Sequence, residues 1–130
     1  MAKKVIFILG GVRSGKSRFA QELAKKLGRK VLFVATGQAL DEEMKARIEE
    51  HKKVRPSSWR TLELFNNVGK RIKARIGDAE VVIVDCLTLL VSNLLKNEAS
   101  YPEAEKQVLT EIESLISCLD IVPVAFIIVS

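Results

Sequence analysis

A chain of 130 residues, 48% hydrophobic and 28% charged, has the size of one domain with a substantial core. Its net charge of +5 suits a phosphate-rich ligand, while aromatics at 5%, never interleaved with basic residues, argue against a base-stacking surface for nucleic acid. No apolar run approaches the ~20 residues of a membrane span. The two cysteines, Cys86 and Cys118, form no C-x-x-C, so a disulfide framework or structural zinc is not expected and a reducing cytoplasm is.

The first apolar run, Val5-Ile6-Phe7-Ile8-Leu9, is too short for a secretory signal and reads as a strand. It feeds Gly10-Gly11-Val12-Arg13-Ser14-Gly15-Lys16-Ser17, which fits the phosphate-loop pattern G-x-x-x-x-G-K-[ST] without a mismatch. Gly10 and Gly15 permit the tight turn that brings backbone N–H groups against phosphate oxygens. The helix opening near Lys16 aims unpaired N–H groups and its positive dipole end at the same point. Lys16 can reach the β- and γ-phosphates, and the Ser17 hydroxyl can join Mg²⁺. The alternative is a chance glycine–serine turn, which the strand–loop–helix context disfavours. Arg13 and Arg18 either add charge to the loop or are simply solvated.

The helix is predicted over 16–27, with Phe19, Leu23 and Leu27 as its apolar stripe, Ala20 and Ala24 flanking, and Gly28 as a left-handed cap. Val31-Leu32-Phe33-Val34-Ala35 reads as a buried strand. Thr36-Gly37-Gln38 follow at its C-terminal end, where open α/β sheets bind ligands. Asp41-Glu42-Glu43 begin a second helix that runs through Met44, Ile48 and His51 until Pro56 ends it. Residues 57–61 form a loop or short strand. Phe65, Val68, Ile72 and Ile76 mark a third helix, ended by Gly77-Asp78, with Lys70, Arg71, Lys73 and Arg75 on a solvated outer face.

Val81-Val82-Ile83-Val84-Asp85 is a buried parallel strand with a carboxylate at its tip. After a phosphate loop such an Asp helps hold Mg²⁺, although any strand can end in Asp. Residues 87–95 form a short buried helix. Pro102 opens a longer one in which Val108, Ile112, Leu115 and Leu119 face inward, and 124–129 form a last buried strand. The alternation predicts a three-layer α/β fold: a mostly parallel central sheet with helices on both faces, in a single nucleotide-binding domain over 1–130. The chain stops on a strand of central character, so a missing C-terminal part is expected.

His51 is the only histidine. Met44, Ile48, His51 and Arg55 share one helix face if the helix extends that far, and Arg47 and Arg55 flank His51 at four residues on either side. Two nearby cations disfavour the imidazolium, leaving a neutral imidazole able to attack phosphorus. The flanking arginines could bind phosphate and stabilise transition-state charge. The alternative is a half-buried helix histidine that packs on the core.

These residues together resemble the bifunctional adenosylcobinamide kinase/adenosylcobinamide-phosphate guanylyltransferases. Gly10 to Ser17 resembles the family's G-G-x-R-S-G-K-S opening, and Val34-Ala35-Thr36 resembles its second-strand segment. Asp41-Glu42-Glu43-Met44, Arg47-Ile48, His51, Arg55-Pro56, Trp59 and Thr61-Leu62-Glu63 are similar to its D-x-E-M-x-x-R-I-x-x-H-x-x-x-R-P-x-x-W-x-T-x-E signature. Val84-Asp85-Cys86-Leu87-Thr88 and Asn93-Leu94-Leu95 are similar to its D-C-L-T and N-L-L block.

The resemblance implies a RecA-like phosphate-loop enzyme of corrinoid assembly. Such an enzyme phosphorylates adenosylcobinamide with ATP or GTP, then passes GMP from GTP to that phosphate through a guanylylated histidine. It places His51 in that role, with Thr36, Gly37, Gln38, Arg55, Pro56 and Glu63 lining the guanine-nucleotide site. It also implies a homotrimer, and a further glycine-rich segment, helix and strands beyond the matching final strand. The other readings are a phosphate-loop small-molecule kinase or triphosphatase with a structural His51, and a non-catalytic nucleotide-binding module.

Overall fold

Runs of β-branched and large apolar residues make the centre of a parallel sheet, because a strand covered on both faces needs apolar side chains at every position. The computed structural model describes residues 4–10, 15–37, 42–53, 55–97 and 100–130, the side chains of 51, 96 and 97 excepted. Its elements are β1 (Val5–Ile8), α1 (Lys16–Leu27), β2 (Val31–Ala35), α2 (Glu42–Lys53), β3 (Arg60–Glu63), α3 (Val68–Arg75), β4 (Val81–Asp85), α4 (Leu87–Asn97), α5 (Tyr101–Ile121) and β5 (Ala125–Val129). The five strands form one sheet in the order β1-β5-β4-β2-β3, and every pairing is parallel.

Strand side chains alternate between two cores. Leu32, Val34, Val82, Val84, Phe126 and Ile128 pack with Val68 and Ile72 of α3, Leu90 of α4, and Leu115 and Cys118 of α5. Val31, Phe33, Val81, Ile83, Ile127 and Val129 pack with Ala20 and Ala24 of α1 and with Trp59. Helices on both faces complete a three-layer α/β fold of the RecA-like phosphate-loop kind. Among the described residues no helix is long and apolar enough to cross a membrane.

Three local expectations need correction. Gly28 is not a left-handed cap: its φ of −175° and ψ of 171° are extended. The position is crowded instead, since a Cβ there would stand 3.0 Å from Glu80 Cβ and 3.1 Å from Val81 Cγ2. The buried line of α1 is Ala20, Gln21 and Ala24, whereas Phe19 is 60% exposed. Small side chains there let α1 lie close across β4 and β5. Finally, α2 ends at Lys53, so Arg55 leaves the face that carries Met44, Ile48 and His51.

Smaller shifts concern α3 and α5. Phe65 precedes α3. The buried positions of α5 are Ala104, Glu111, Leu115 and Cys118, with Val108, Ile112 and Leu119 half-buried.

Candidate functional site

The strand register puts the functional positions in line. Ile8 pairs with Val129, Val129 with Asp85, Asp85 with Ala35, and Ala35 with Glu63, giving one row across the C-terminal ends of the sheet. Asp85 shares its parity with Val81 and Ile83, so it lies on the sheet face covered by α1. That is why the first turn of α1 meets it: Ser17 Oγ donates a hydrogen bond to Asp85 Oδ2 across 68 positions of sequence. Lys16 Nζ donates to the Gly10 carbonyl at 2.8 Å, tying the two ends of the phosphate loop together. Gly15 begins the helix with φ +82°, a conformation that L side chains rarely adopt, although a Cβ there would meet nothing within 4 Å. The glycine is needed for backbone shape, not for room. Gly11, Val12, Arg13, Ser14 and Gln38 lie outside the described residues.

A second group sits beside the first on the same face. The Arg55 guanidinium lies 4.1 Å from the centroid of the Phe33 ring and donates to Thr61 Oγ1 at 3.3 Å. Partial burial pushes its pKa down, and the carboxylates of Asp85 and Glu63 pull it back up. Guanidinium remains charged at any physiological pH. Arg55, Pro56 and Glu63 line a cavity of about 390 Å³ together with Lys52, Trp59 and Thr61. Lys52 Nζ lies 3.4 Å from Glu63 Oε1, so the last turn of α2 stands beside the tip of β3. His51 belongs to that turn, and its side chain lies outside what is described. Sequence reasoning missed Lys52, because a Lys in an exposed charged run carries no local signal.

A larger cavity, of about 700 Å³, opens at the other end of β2 and β3, near Val31 and Arg60. Three of its cations already have partners. Lys30 is 2.8 Å from Asp78, Lys25 is 3.2 Å from Glu22, and Arg60 donates to the Arg75 and Ile76 carbonyls at 2.8 and 2.7 Å. It lies at the N-terminal ends of these strands, opposite the row that carries Asp85 and Glu63.

The Thr36 hydroxyl turns toward the neighbouring strand. It is 0% exposed, and its hydroxyl is committed to the backbone of Cys86, accepting from the amide at 2.8 Å and donating to the carbonyl at 2.5 Å. Its one hydroxyl proton is therefore used within the protein, and none remains for a nucleotide. Gly37 follows it half-buried, and a Cβ there would stand 3.1 Å from Leu89 Cδ1. Cys86 is buried, and that burial raises its thiol pKa above the ordinary value. Its sulfur accepts a hydrogen bond from Leu89 N at 3.4 Å.

The described residues thus bring a hydroxyl and a carboxylate together at the start of α1, with an arginine in the field of the same carboxylate. A family model described as cobinamide kinase / cobinamide phosphate guanyltransferase matches residues 6–130. The chain is 40% identical over 134 residues to the bifunctional adenosylcobalamin biosynthesis protein CobU of Escherichia coli (strain K12), covering 97% of this chain and 74% of that protein. It is 42% identical over 124 residues to the bifunctional adenosylcobalamin biosynthesis protein CobP of Pseudomonas aeruginosa, covering 95% of this chain and 68% of that protein. The CobU of Salmonella typhimurium is 35% identical over 134 residues. With a family model spanning nearly the whole chain and relatives above a third identical, this chain belongs to the cobinamide kinase / cobinamide phosphate guanyltransferase family.

Proposed function

We propose that this chain is a single nucleotide-binding domain that phosphorylates a cobinamide hydroxyl with a nucleoside triphosphate and then transfers GMP from GTP to the new phosphate. The observation that carries this reading is the contact of Ser17 with Asp85 next to Lys16, which closes on Gly10, in a chain that its family's model matches over residues 6–130.

In the kinase step the corrinoid hydroxyl oxygen attacks the γ-phosphorus, and the nucleoside diphosphate leaves. The loop amides and Lys16 neutralise the phosphate charge. A hydroxyl and a carboxylate, Ser17 and Asp85, are the hard oxygen donors that suit Mg²⁺. Bound there, the ion would supply further neutralisation of the phosphate oxygens.

In the transferase step an imidazole nitrogen of His51 forms a bond to the α-phosphorus of GTP, and pyrophosphate departs. An oxygen of the corrinoid phosphate then attacks the same phosphorus and the N–P bond breaks. Covalent catalysis thereby divides one difficult transfer into two easier ones. In this reading Arg55, in the field of Asp85 and Glu63, would meet phosphate charge, and Pro56 and Glu63, which line the same cavity, would face the guanine. Two buried cysteines, Cys86 and Cys118, without C-x-x-C spacing suit a reducing compartment, which supports a cytoplasmic enzyme. A homotrimer is the assembly that the family resemblance favours.

Labelled GTP tests this. With α-labelled GTP the wild-type chain should gain an acid-labile protein adduct that γ-labelled GTP does not give. His51→Ala should abolish the adduct while phosphoryl transfer from the γ-position persists, and Lys16→Ala should lose both. An adduct that survives His51→Ala, or wild-type γ-phosphate turnover without any adduct, removes the guanylyl-histidine and leaves a phosphate-loop kinase of other specificity.

A further inference from the structure

We propose that Thr36 and Asn93 are positioning residues that fix the Asp85 carboxylate at the phosphate loop, Thr36 by holding the peptide groups around Asp85 and Asn93 by holding Thr36. This inference rests on the reading that Ser17 and Asp85 serve a magnesium–nucleotide complex.

Thr36 lies one position beyond the tip of β2, beside the tip of β4. Its backbone N–H donates to the Asp85 carbonyl at 3.0 Å. Its hydroxyl accepts from Cys86 N at 2.8 Å and donates to the Cys86 carbonyl at 2.5 Å. One residue thus grips the carbonyl of Asp85 and both polar groups of the residue after it. The direction of the Asp85 side chain follows from that backbone, and the carboxylate is the acceptor for Ser17. From α4, Asn93 Nδ2 donates to the Thr36 carbonyl at 2.8 Å, closing the network from behind.

The burial gradient supports the division of roles. Thr36 is 0% exposed and Asn93 5%, whereas Asp85 itself is only half-buried and open to a ligand. Thr36 and Asn93 are the closed part of the site, and Asp85 is the working end. Removing the Thr36 hydroxyl would leave the Cys86 N–H buried without its acceptor, and the local backbone would relax to recover one. The Cys86 carbonyl would keep its bond from Leu90 N at 3.2 Å, so α4 should survive the change.

The test is GTP binding by titration calorimetry, in EDTA and across a MgCl₂ series, for wild type, Thr36→Val, Thr36→Ser and Asn93→Leu. Thr36→Val should raise the Mg²⁺ concentration for half-maximal binding by about tenfold, the scale of one lost buried hydrogen bond, while binding in EDTA changes by less than about twofold. Asn93→Leu should shift it in the same direction by a smaller factor. Thr36→Ser keeps the hydroxyl and should stay within about twofold of wild type.

A merely structural role would lower thermal stability and leave the Mg²⁺ requirement unmoved. That outcome in Thr36→Val and Asn93→Leu, or a Thr36→Ser as impaired as Thr36→Val, overturns the proposal. Should Thr36→Val not fold, Asn93→Leu and Asn93→Ala decide on the same comparison. If wild type binds GTP equally in EDTA and in MgCl₂, the magnesium reading falls and the positioning role falls with it. If wild type shows the Mg²⁺ dependence and the variants share it unchanged, only the positioning role falls.

Discussion

Glu80 holds two backbone amides with one carboxylate oxygen. Arg29 N donates at 3.0 Å and Lys30 N at 3.1 Å, which fastens the turn after α1 to the start of β4. The Lys30 amide, and after it the Arg29 amide, keeps this carboxyl below its usual range. A carboxyl depressed on folding stabilises above its unfolded value, roughly 4.3, and that contribution disappears as pH falls through the lower folded value. Asp78 is depressed by its hydrogen bond to Lys30 and acts in the same acid window. Lys30 is raised by that bond, so its contribution holds below its unfolded value and fades only as pH rises through the folded one. Glu80→Gln should therefore melt below wild type at pH 7. The gap should close as pH falls through the lowered folded value of Glu80, where wild type loses the charge as well. Thermal melts of the two proteins across pH 3–8 check this, and a gap that stays constant with pH would contradict it.

At the same scale, the site was partly legible. Lys16 and Ser17 follow from a local pattern whose mechanism is local. Asp85 follows from a β-branched run that must be buried and must end where ligands bind. The tip of a parallel strand faces both a ligand and the neighbouring strand, so the sequence alone does not tell that the Thr36 hydroxyl goes to Cys86. Asn93 enters the sequence reading only through the family's N-L-L block, and its partner lies 57 residues away. No spacing rule announces such a bond.

Helix boundaries were readable from glycine, proline and acidic residues, whereas the means of holding the helices were not. The N-terminus of α3 has no side-chain cap of its own. Asn67 stands there with φ +49°, and its side chain makes no capping bond. The cap comes from α5 instead, where the buried Glu111 carboxylate accepts from Asn67 N and, at 3.0 Å, from Val68 N. A negative group at a helix start also matches the helix dipole. The same two helices meet at Gly69, where a Cβ would overlap the Ser114 carbonyl and stand 2.7 Å from Ser114 Oγ. Glu111→Ala should thus cost about 1–3 kcal/mol by leaving buried amides without an acceptor, and Gly69→Ala a similar ~1–3 kcal/mol by forcing α3 off α5. Chemical denaturation measures both. The two losses should not add fully, because the substitutions disturb one contact between two helices. On α1 an i+4 spacing fits both the line of Phe19, Leu23 and Leu27 and the line of Ala20 and Ala24, about 100° away round the helix, and only the closeness of the sheet favours alanine.

Alternating strands and helices imply a parallel sheet but do not give the order β1-β5-β4-β2-β3. That order depends on which crossover spans which strands, and no residue states it. It leaves β1 at an edge, paired among the described residues with β5. On the α1 face Ile6 and Ile8 are half-buried, but on the other face Val5 is 39% exposed and Phe7 57%. Leu9 beyond them is 76% exposed, and α5, which covers that second face further in, exposes Leu109 at 54% and Ile116 at 59%. An apolar strand edge with open backbone groups is a template for pairing with another chain. The 130-residue chain should therefore self-associate as its concentration rises, with light scattering coupled to gel filtration as the measure. Phe7→Glu puts a charge on the exposed face without removing a buried contact. It should shift association to at least about tenfold higher concentration while changing stability by less than about 0.5 kcal/mol, the usual range for a surface site. A wild-type chain that stays monomeric at every concentration reached, or a Phe7→Glu that associates as readily as wild type, would show that the β1 edge does not drive association.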